Sequence, residues 1–358
     1  MEDIKNLTIF FIFFAVLIIP CSSFFIPSII PIESSSYCTQ LHLYYNFTPK
    51  TPNNQSKSII FLTDIDFFRI FFAFLGNISF EVKVMEKIRT DLALENREFY
   101  KNAMNLEDEI PGIETISDNF DKDLNVTTVK VLNKDAVNIL NKPIGDYITI
   151  ESEYMNDEVL SIDEKIINKL ATILKSLINT TEKLNYSILV VGLGNSDVTP
   201  DALGPKVIDN LAINRHLFKY HPELLDHSVK VAISAIVPGV LGTTGIDTCE
   251  IIKGIVEKTS PDAVIVVDAL AAKEMHRISH TIQITNTGII PGSGVQNSRN
   301  AINKDVLGIP VIAIGVPTVA GIPSMINENF MVTPNTIDDI ITNLSRLIAE
   351  GINRAFCE

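Results

Sequence analysis

The chain has 358 residues, 46% of them apolar, enough to bury one large core or two smaller ones. A formal net charge of −14 argues against sequence-independent binding of nucleic acid, which needs a basic footprint. Its 4 cysteines, Cys21, Cys38, Cys249 and Cys357, form no C-x-x-C pair and no metal-ligand spacing, so a disulfide framework is not expected and a reducing compartment fits.

Composition breaks near Met85. Residues 1–84 hold 14 of the 19 Phe and one of the 17 Gly, unlike a single globular domain. The apolar run from Leu7 to Ile19 is short for a bilayer, and the residues before it lack the positive region of a signal peptide. The second run, Ile59 to Leu75, carries Asp64, Asp66 and Arg69, each costly at mid-membrane depth. This Phe-rich extension is therefore expected to lie outside the working fold, as upstream sequence from a mistaken start. A membrane anchor is the alternative.

From Met85 to Tyr100 the chain is polar and charged, then amphipathic, as a native N-terminus is. Residues 101–125 are acidic and read as loop. Val126 to Leu132 and Tyr147 to Glu151 alternate as strands, with Lys142-Pro143-Ile144-Gly145 as a turn between them. From Asp157 to Leu184 apolar residues recur at helical spacing. A β/α alternation follows. Strand 188–191 leads to a helix from about Pro200 to Leu217, and strand 229–236 leads through a Gly-rich loop to a helix ending near Lys258. Strand 263–267 runs into Asp268, strands 281–284 and 311–316 come next, and a helix from Thr333-Pro334 to Phe356 closes the chain. The class is α/β: a mostly parallel twisted sheet with helices on both faces.

Two aspartates stand out. The stretch V-V-G-L-G-N-S-D-V-T-P-D-A-L-G-P reads as a strand, a glycine turn and a helix start. Asp201 therefore falls where a strand ends and a helix begins, the edge of such sheets at which ligands bind. An Asp in a first helical turn also serves simply as a dipole partner. Asp268 follows five apolar residues, Ala263 to Val267, and a capping role for a short helix, Ala269 to His276, is the plain alternative. Together, an ionised Asp201 and a protonated Asp268 make a base and an acid, and the reversed assignment is the alternative. The turn lacks the third glycine of a dinucleotide motif, and no phosphate-binding G-x-x-x-x-G-K-[ST] or nucleophile elbow is present. Asn195 and Thr199 in the turn, with Thr243 and Thr244 in the Gly-rich loop, are candidates to support the site. His276 and His280 read as surface residues, and Cys249 has no nearby His to activate it.

These motifs, with S-A-I-V-P-G-V-L-G-T-T-G-I, D-A-L-A-A, T-I-Q-I-T-N-T-G-I-I-P-G-S-G-V and L-G-I-P-V-I-A-I-G-V-P-T-V, resemble the germination proteases of endospore-forming bacteria over about residues 86–355. The resemblance implies a fold similar to the hydrogenase-maturation proteases, of the phosphorylase/hydrolase-like kind. It also implies an endopeptidase that degrades small acid-soluble spore proteins during germination in the spore core, a cytoplasmic compartment. By the same resemblance the protein is made as a self-processing zymogen and is a homotetramer. The catalytic aspartates carry over to Asp201 and Asp268, and R-T-D-L-A-L-E at 89–95 matches the propeptide junction, with cleavage between Asp91 and Leu92. That divides the chain into an extension 1–84, a propeptide 85–91 and a single α/β protease domain 92–358. The segment around Asp91 is expected to pack little. No cofactor, no metal, no direct nucleic-acid contact and no membrane contact of the mature enzyme are expected. A metal-dependent peptidase with the same aspartates as ligands, and a non-catalytic binder of spore proteins, are the competing readings. Two departures from the family are the start of this chain well before Met85 and the short run from Pro317 to Met331 where longer members carry a polar insertion.

Overall fold

The computed structural model describes residues 58–61, 81–84, 90–155, 160–180, 185–226, 229–292, 299–322 and 330–357. The readings of residues 7–19, most of 59–75, Cys21, Cys38 and residues 85–89 lie outside these. The chain divides into two units, Met1–Val82 and Lys83–Glu358. Strands β1 (Ser58–Phe61) and β2 (Glu81–Val84) pair as a two-stranded sheet.

A nine-stranded sheet organises the rest. Helix α1 (Ala93–Met104) leads to the strands β3 (Ile113–Asp121) and β4 (Leu124–Val131), then α2 (Lys134–Leu140) and β5 (Gly145–Glu151). Helix α3 (Leu160–Leu177) precedes β6 (Tyr186–Gly192), α4 (Leu203–Asp209), α5 (Arg215–Tyr220) and β7 (Val231–Ile236). Then come α6 (Leu241–Thr244), α7 (Thr248–Thr259), β8 (Ala263–Ala272), β9 (Thr281–Thr285), α8 (Lys304–Leu307), β10 (Val311–Ile322), β11 (Phe330–Val332) and α9 (Ile337–Phe356). The strand order is β3-β4-β5-β9-β10-β8-β6-β7, with β11 on β10.

The α/β class and the two helical layers are as expected. Parallel order is confined to β10-β8-β6-β7, and the other half is antiparallel. The link Lys122-Asp123 shows why: two residues cannot make a crossover, so β3 and β4 must pair antiparallel. Alternation along β8 assigns its two faces. Ala263, Ile265 and Val267 join the core built with α3 and α9. Val264 and Val266 join the core under α7, with Cys249, Ile252 and Val256. Each of these buried Val and Ile side chains contributes about 1.5–3 kcal/mol.

Four local expectations are corrected. Residues 101–125 are not loop, because α1 runs to Met104 and β3 fills 113–121 as an edge strand, where an acidic sequence is tolerated. The helix expected from Pro200 to Leu217 is broken after Asp209. Asn214 bonds β7 instead, accepting from Ile233 N–H (2.6 Å) and donating to the Val231 carbonyl (3.1 Å). No helix follows Asp268, since β8 continues to Ala272 in register with β10. The last helix begins at Ile337 rather than Thr333, whose hydroxyl donates to the Thr318 carbonyl.

Candidate active site

Asp201 is held by its own turn. After β6, Leu193 N–H donates to the Val267 carbonyl at 2.8 Å, fixing the exit of that strand beside the residue preceding Asp268. The chain then reverses at Gly194 (φ 112°), where a side chain would lie 1.9 Å from the Asp201 carbonyl oxygen. Asn195 N–H donates to both the Asp201 carboxylate (2.9 Å) and its carbonyl (3.1 Å). Thr199, Pro200 and Asp201 form a short 3-10 turn rather than a capped helix start, and it packs against β8, β10 and α9. Burial raises the proton affinity of the half-buried Asp201, and the Asn195 N–H works against that rise.

Asp268 lies within β8, 7% exposed, on the face it shares with Val264 and Val266. Burial raises its proton affinity well above the ordinary carboxyl range, and the charges of Asp201 and Asp91 add to this. One N–H, that of Ala269 at 3.0 Å, favours the ionised form. The two catalytic candidates are therefore brought within electrostatic reach, and Asp91 joins them.

Register extends the site across the sheet. Asp268 pairs with Gly315 of β10, and Gly315 pairs with Gln283 of β9. In-register residues share a face, so Asp268 and Gln283 flank a position without a side chain. A methyl on Gly315 would meet the Leu270 side chain at 2.4 Å, so Leu270 leans into that gap.

Onto this face comes the segment Thr90–Glu95. The expectation that it packs little is corrected: Leu92 and Ala93 are fully buried, and Leu94 and Glu95 nearly so. Asp91 N–H donates to the Ala271 carbonyl (2.8 Å), and Ala271 N–H donates back to the Asp91 carboxylate (2.9 Å). Leu92 fills an apolar pocket with Leu270, Ala272 and Ile289. Glu95 accepts from Lys273 N–H (2.8 Å) and Glu274 N–H (2.9 Å), anchoring the first turn of α1 at the end of β8. The Asp91 carbonyl accepts from Lys142 Nζ (2.8 Å) and Gln283 Nε2 (3.1 Å). Gln283 Oε1 in turn accepts from Ala93 N–H at 2.8 Å, which fixes which end of the amide faces Asp91.

The other candidates fall as follows. Asn195 acts through its backbone, while its side chain accepts from Asp197 N–H. Thr199 contributes its carbonyl to Ala202 N–H. Thr243 and Thr244 are exposed, and both hydroxyls donate to the Val240 carbonyl. His276 is exposed, and His280 bonds the Ile278 carbonyl. The Cys249 thiol is pushed up by burial and by Asp247, against a nucleophilic role. Among the described residues, no group of three or more His, Cys, Asp or Glu is arranged to hold a metal ion. None of their helices is long and apolar enough to cross a membrane. Reading the sequence missed Lys142 and Gln283. The signal for Gln283 was a polar residue between two isoleucines, facing away from the core those isoleucines build.

Comparison with known proteins points one way. The family model described as germination protease matches residues 91–328. A germination protease of Clostridium perfringens (strain 13 / Type A) is 43% identical, covering 76% of this chain and 95% of the relative. That of Caldanaerobacter subterraneus subsp. tengcongensis is 42% identical, over 75% of this chain and 94% of the relative. That of Geobacillus sp. (strain WCH70) is 43% identical over 75% and 71%.

Proposed function

This chain belongs to the germination protease family, an endopeptidase of spore germination, and on that premise we propose an aspartic mechanism of atypical type, with small acid-soluble spore proteins as substrates. Asp201 takes a proton from water, and the water oxygen attacks the peptide carbonyl carbon. As the tetrahedral intermediate collapses, the C–N bond breaks and the Asp268 proton passes to the leaving amine. The pair ends with its proton on Asp201, and exchange with solvent restores the starting state. The observation that carries this reading is the asymmetry of the pair. Both carboxyls are raised and each accepts one N–H, but Asp268, more deeply buried and facing two other carboxylates, is raised further than Asp201. Two carboxyls pushed apart in this way divide acid and base roles.

The zymogen reading rests on the docked Asp91–Leu92 bond, which has an acidic residue before an apolar residue and Ala, the order that the resemblance to the family implies for its cleavage sites. We propose that the protein removes the residues up to Asp91 itself, works as a homotetramer in the forespore, and needs neither resident metal nor cofactor. Residues 92–358 form the protease domain in this reading, and residues 1–84 add nothing to it.

The test is turnover with and without chelator, alongside Asp201→Asn and Asp268→Asn in folded protein. Each variant is expected to lose about a thousandfold or more in rate. Chelator-sensitive turnover identifies a metal enzyme instead, absence of turnover in the wild type a binder, and near-normal turnover in either variant removes the mechanism.

A further inference from the structure

The Asp91 carbonyl oxygen is a backbone acceptor that receives two side-chain donors from elements distant in sequence. Lys142 Nζ reaches it at 2.8 Å from the loop after α2, and Gln283 Nε2 at 3.1 Å from the middle of β9. In the reading above, this carbonyl belongs to the bond that is cleaved. We propose that Lys142 and Gln283 are catalytic residues that polarise the scissile carbonyl and receive the negative charge its oxygen gains; the inference rests on the aspartic reading.

The geometry fits that task in three ways. Gln283 grips both sides of the bond, donating to the Asp91 carbonyl and accepting from Ala93 N–H, so the peptide cannot rotate without breaking one contact. Gln283 also shares a sheet row with Asp268 across Gly315, so the carboxyl and the amide approach the peptide from the same face. Lys142 is half-buried beside Asp91, where a positive charge is screened less than in water. Burial pushes the ammonium below its ordinary value, and the adjacent Asp91 charge pulls it back toward the protonated form. That coupling favours an acidic residue on the amino side of the bond.

The step balances without a co-reactant. Water oxygen bonds to the Asp91 carbonyl carbon as one water proton moves to the base carboxylate. The carbonyl π electrons pass to the oxygen held by Lys142 and Gln283, which keep their own protons. The electrons return as the C–N bond breaks, and the acid carboxyl protonates the Leu92 amine.

The test follows self-processing of the full chain at mildly acidic pH by intact mass, with hydrogen exchange at the Leu92 and Ala93 amides as second readout. Lys142→Met and Gln283→Leu are each expected to slow cleavage about 100-fold. Lys142→Arg should recover at least about tenfold of that loss, since it restores charge and donors. In Lys142→Met the two amides should keep wild-type protection, because the bond is still docked although it is not broken. Lys142→Gln replaces Lys142→Met should the latter not fold. Unchanged cleavage in Lys142→Met overturns the proposal. Slow cleavage with lost amide protection also overturns it, since Lys142 then only docks the segment. Asp268→Asn separates the two readings: if it still cleaves, the aspartate pair falls whatever Lys142 does, whereas a dead Asp268→Asn beside a fully active Lys142→Met defeats the clamp alone.

Discussion

Replacing Gly194 with Ala tests whether the turn after β6 sets the position of Asp201. A methyl there would stand 1.9 Å from the Asp201 carbonyl oxygen and 3.2 Å from its carboxylate. Carbon contacts begin near 3.5 Å, so the turn has to open by about 1.5 Å. That opening breaks the paired acceptance by Asp201 of the Asn195 N–H, the contact that aims the carboxylate. Misplacing a reacting group by about 1 Å costs about 100-fold in rate. The φ of 112° adds about 1–3 kcal/mol of backbone strain for any residue with a side chain. Gly308, with φ 74° and nothing within 4 Å of its added methyl, isolates strain from displacement. Gly308→Ala should cost about 1–2 kcal/mol and leave turnover untouched. Gly194→Ala should be destabilised further and lose about 100-fold in kcat/KM. The assay is peptide turnover beside thermal melting of both variants. A folded Gly194→Ala protein with kcat/KM within about threefold of wild type would refute the reasoning, because Asp201 would then not need this turn.

Two further outcomes follow from the same geometry. The Asp268 carboxyl is raised in the fold, so its contribution to stability is fully present below the unfolded carboxyl pKa of about 4 and is lost as pH rises through the elevated folded value. Wild-type melting temperature should therefore fall more steeply than that of Asp268→Asn as pH rises from acidic to neutral, and parallel curves would contradict the burial argument. A chain beginning at Met85 should melt cooperatively within a few degrees of the full chain, whereas a large drop would mean that residues 1–84 support the protease domain.

Much of the fold was legible because buried parallel strands announce themselves. Ala263 to Val267 are apolar without interruption because both faces of β8 are covered. The amphipathic period of α3 and α9 was equally plain, since each packs one face on that sheet. The antiparallel half was harder to read. β3 is an edge strand with an acidic face, and without a buried stripe on both sides its sequence does not differ from loop. The break after α4 escaped notice because its cause, Asn214 bonding β7, is a contact between segments that no local spacing records. The two aspartates were visible for a local reason: Asp201 closes the glycine turn after β6, and Asp268 follows the apolar run Ala263 to Val267 directly.

Lys142 and Gln283 belong to a different kind of information. Gln283 enters the row of Asp268 only because β10 lies between β8 and β9, two strands that are consecutive in the chain. A slip of one residue in β9 would turn Gln283 into the core in place of Ile282 and Ile284 and bring an isoleucine to the carbonyl instead. The register that prevents this slip is enforced by those two isoleucines, which are fully buried on the opposite face. Burying them contributes about 3–6 kcal/mol together, far more than one hydrogen bond from Gln283. The position of the amide is thus set by its apolar neighbours rather than by its own bonds. For that reason Gln283→Leu, which leaves Ile282 and Ile284 in place, should remove the donor while keeping the strand where it is.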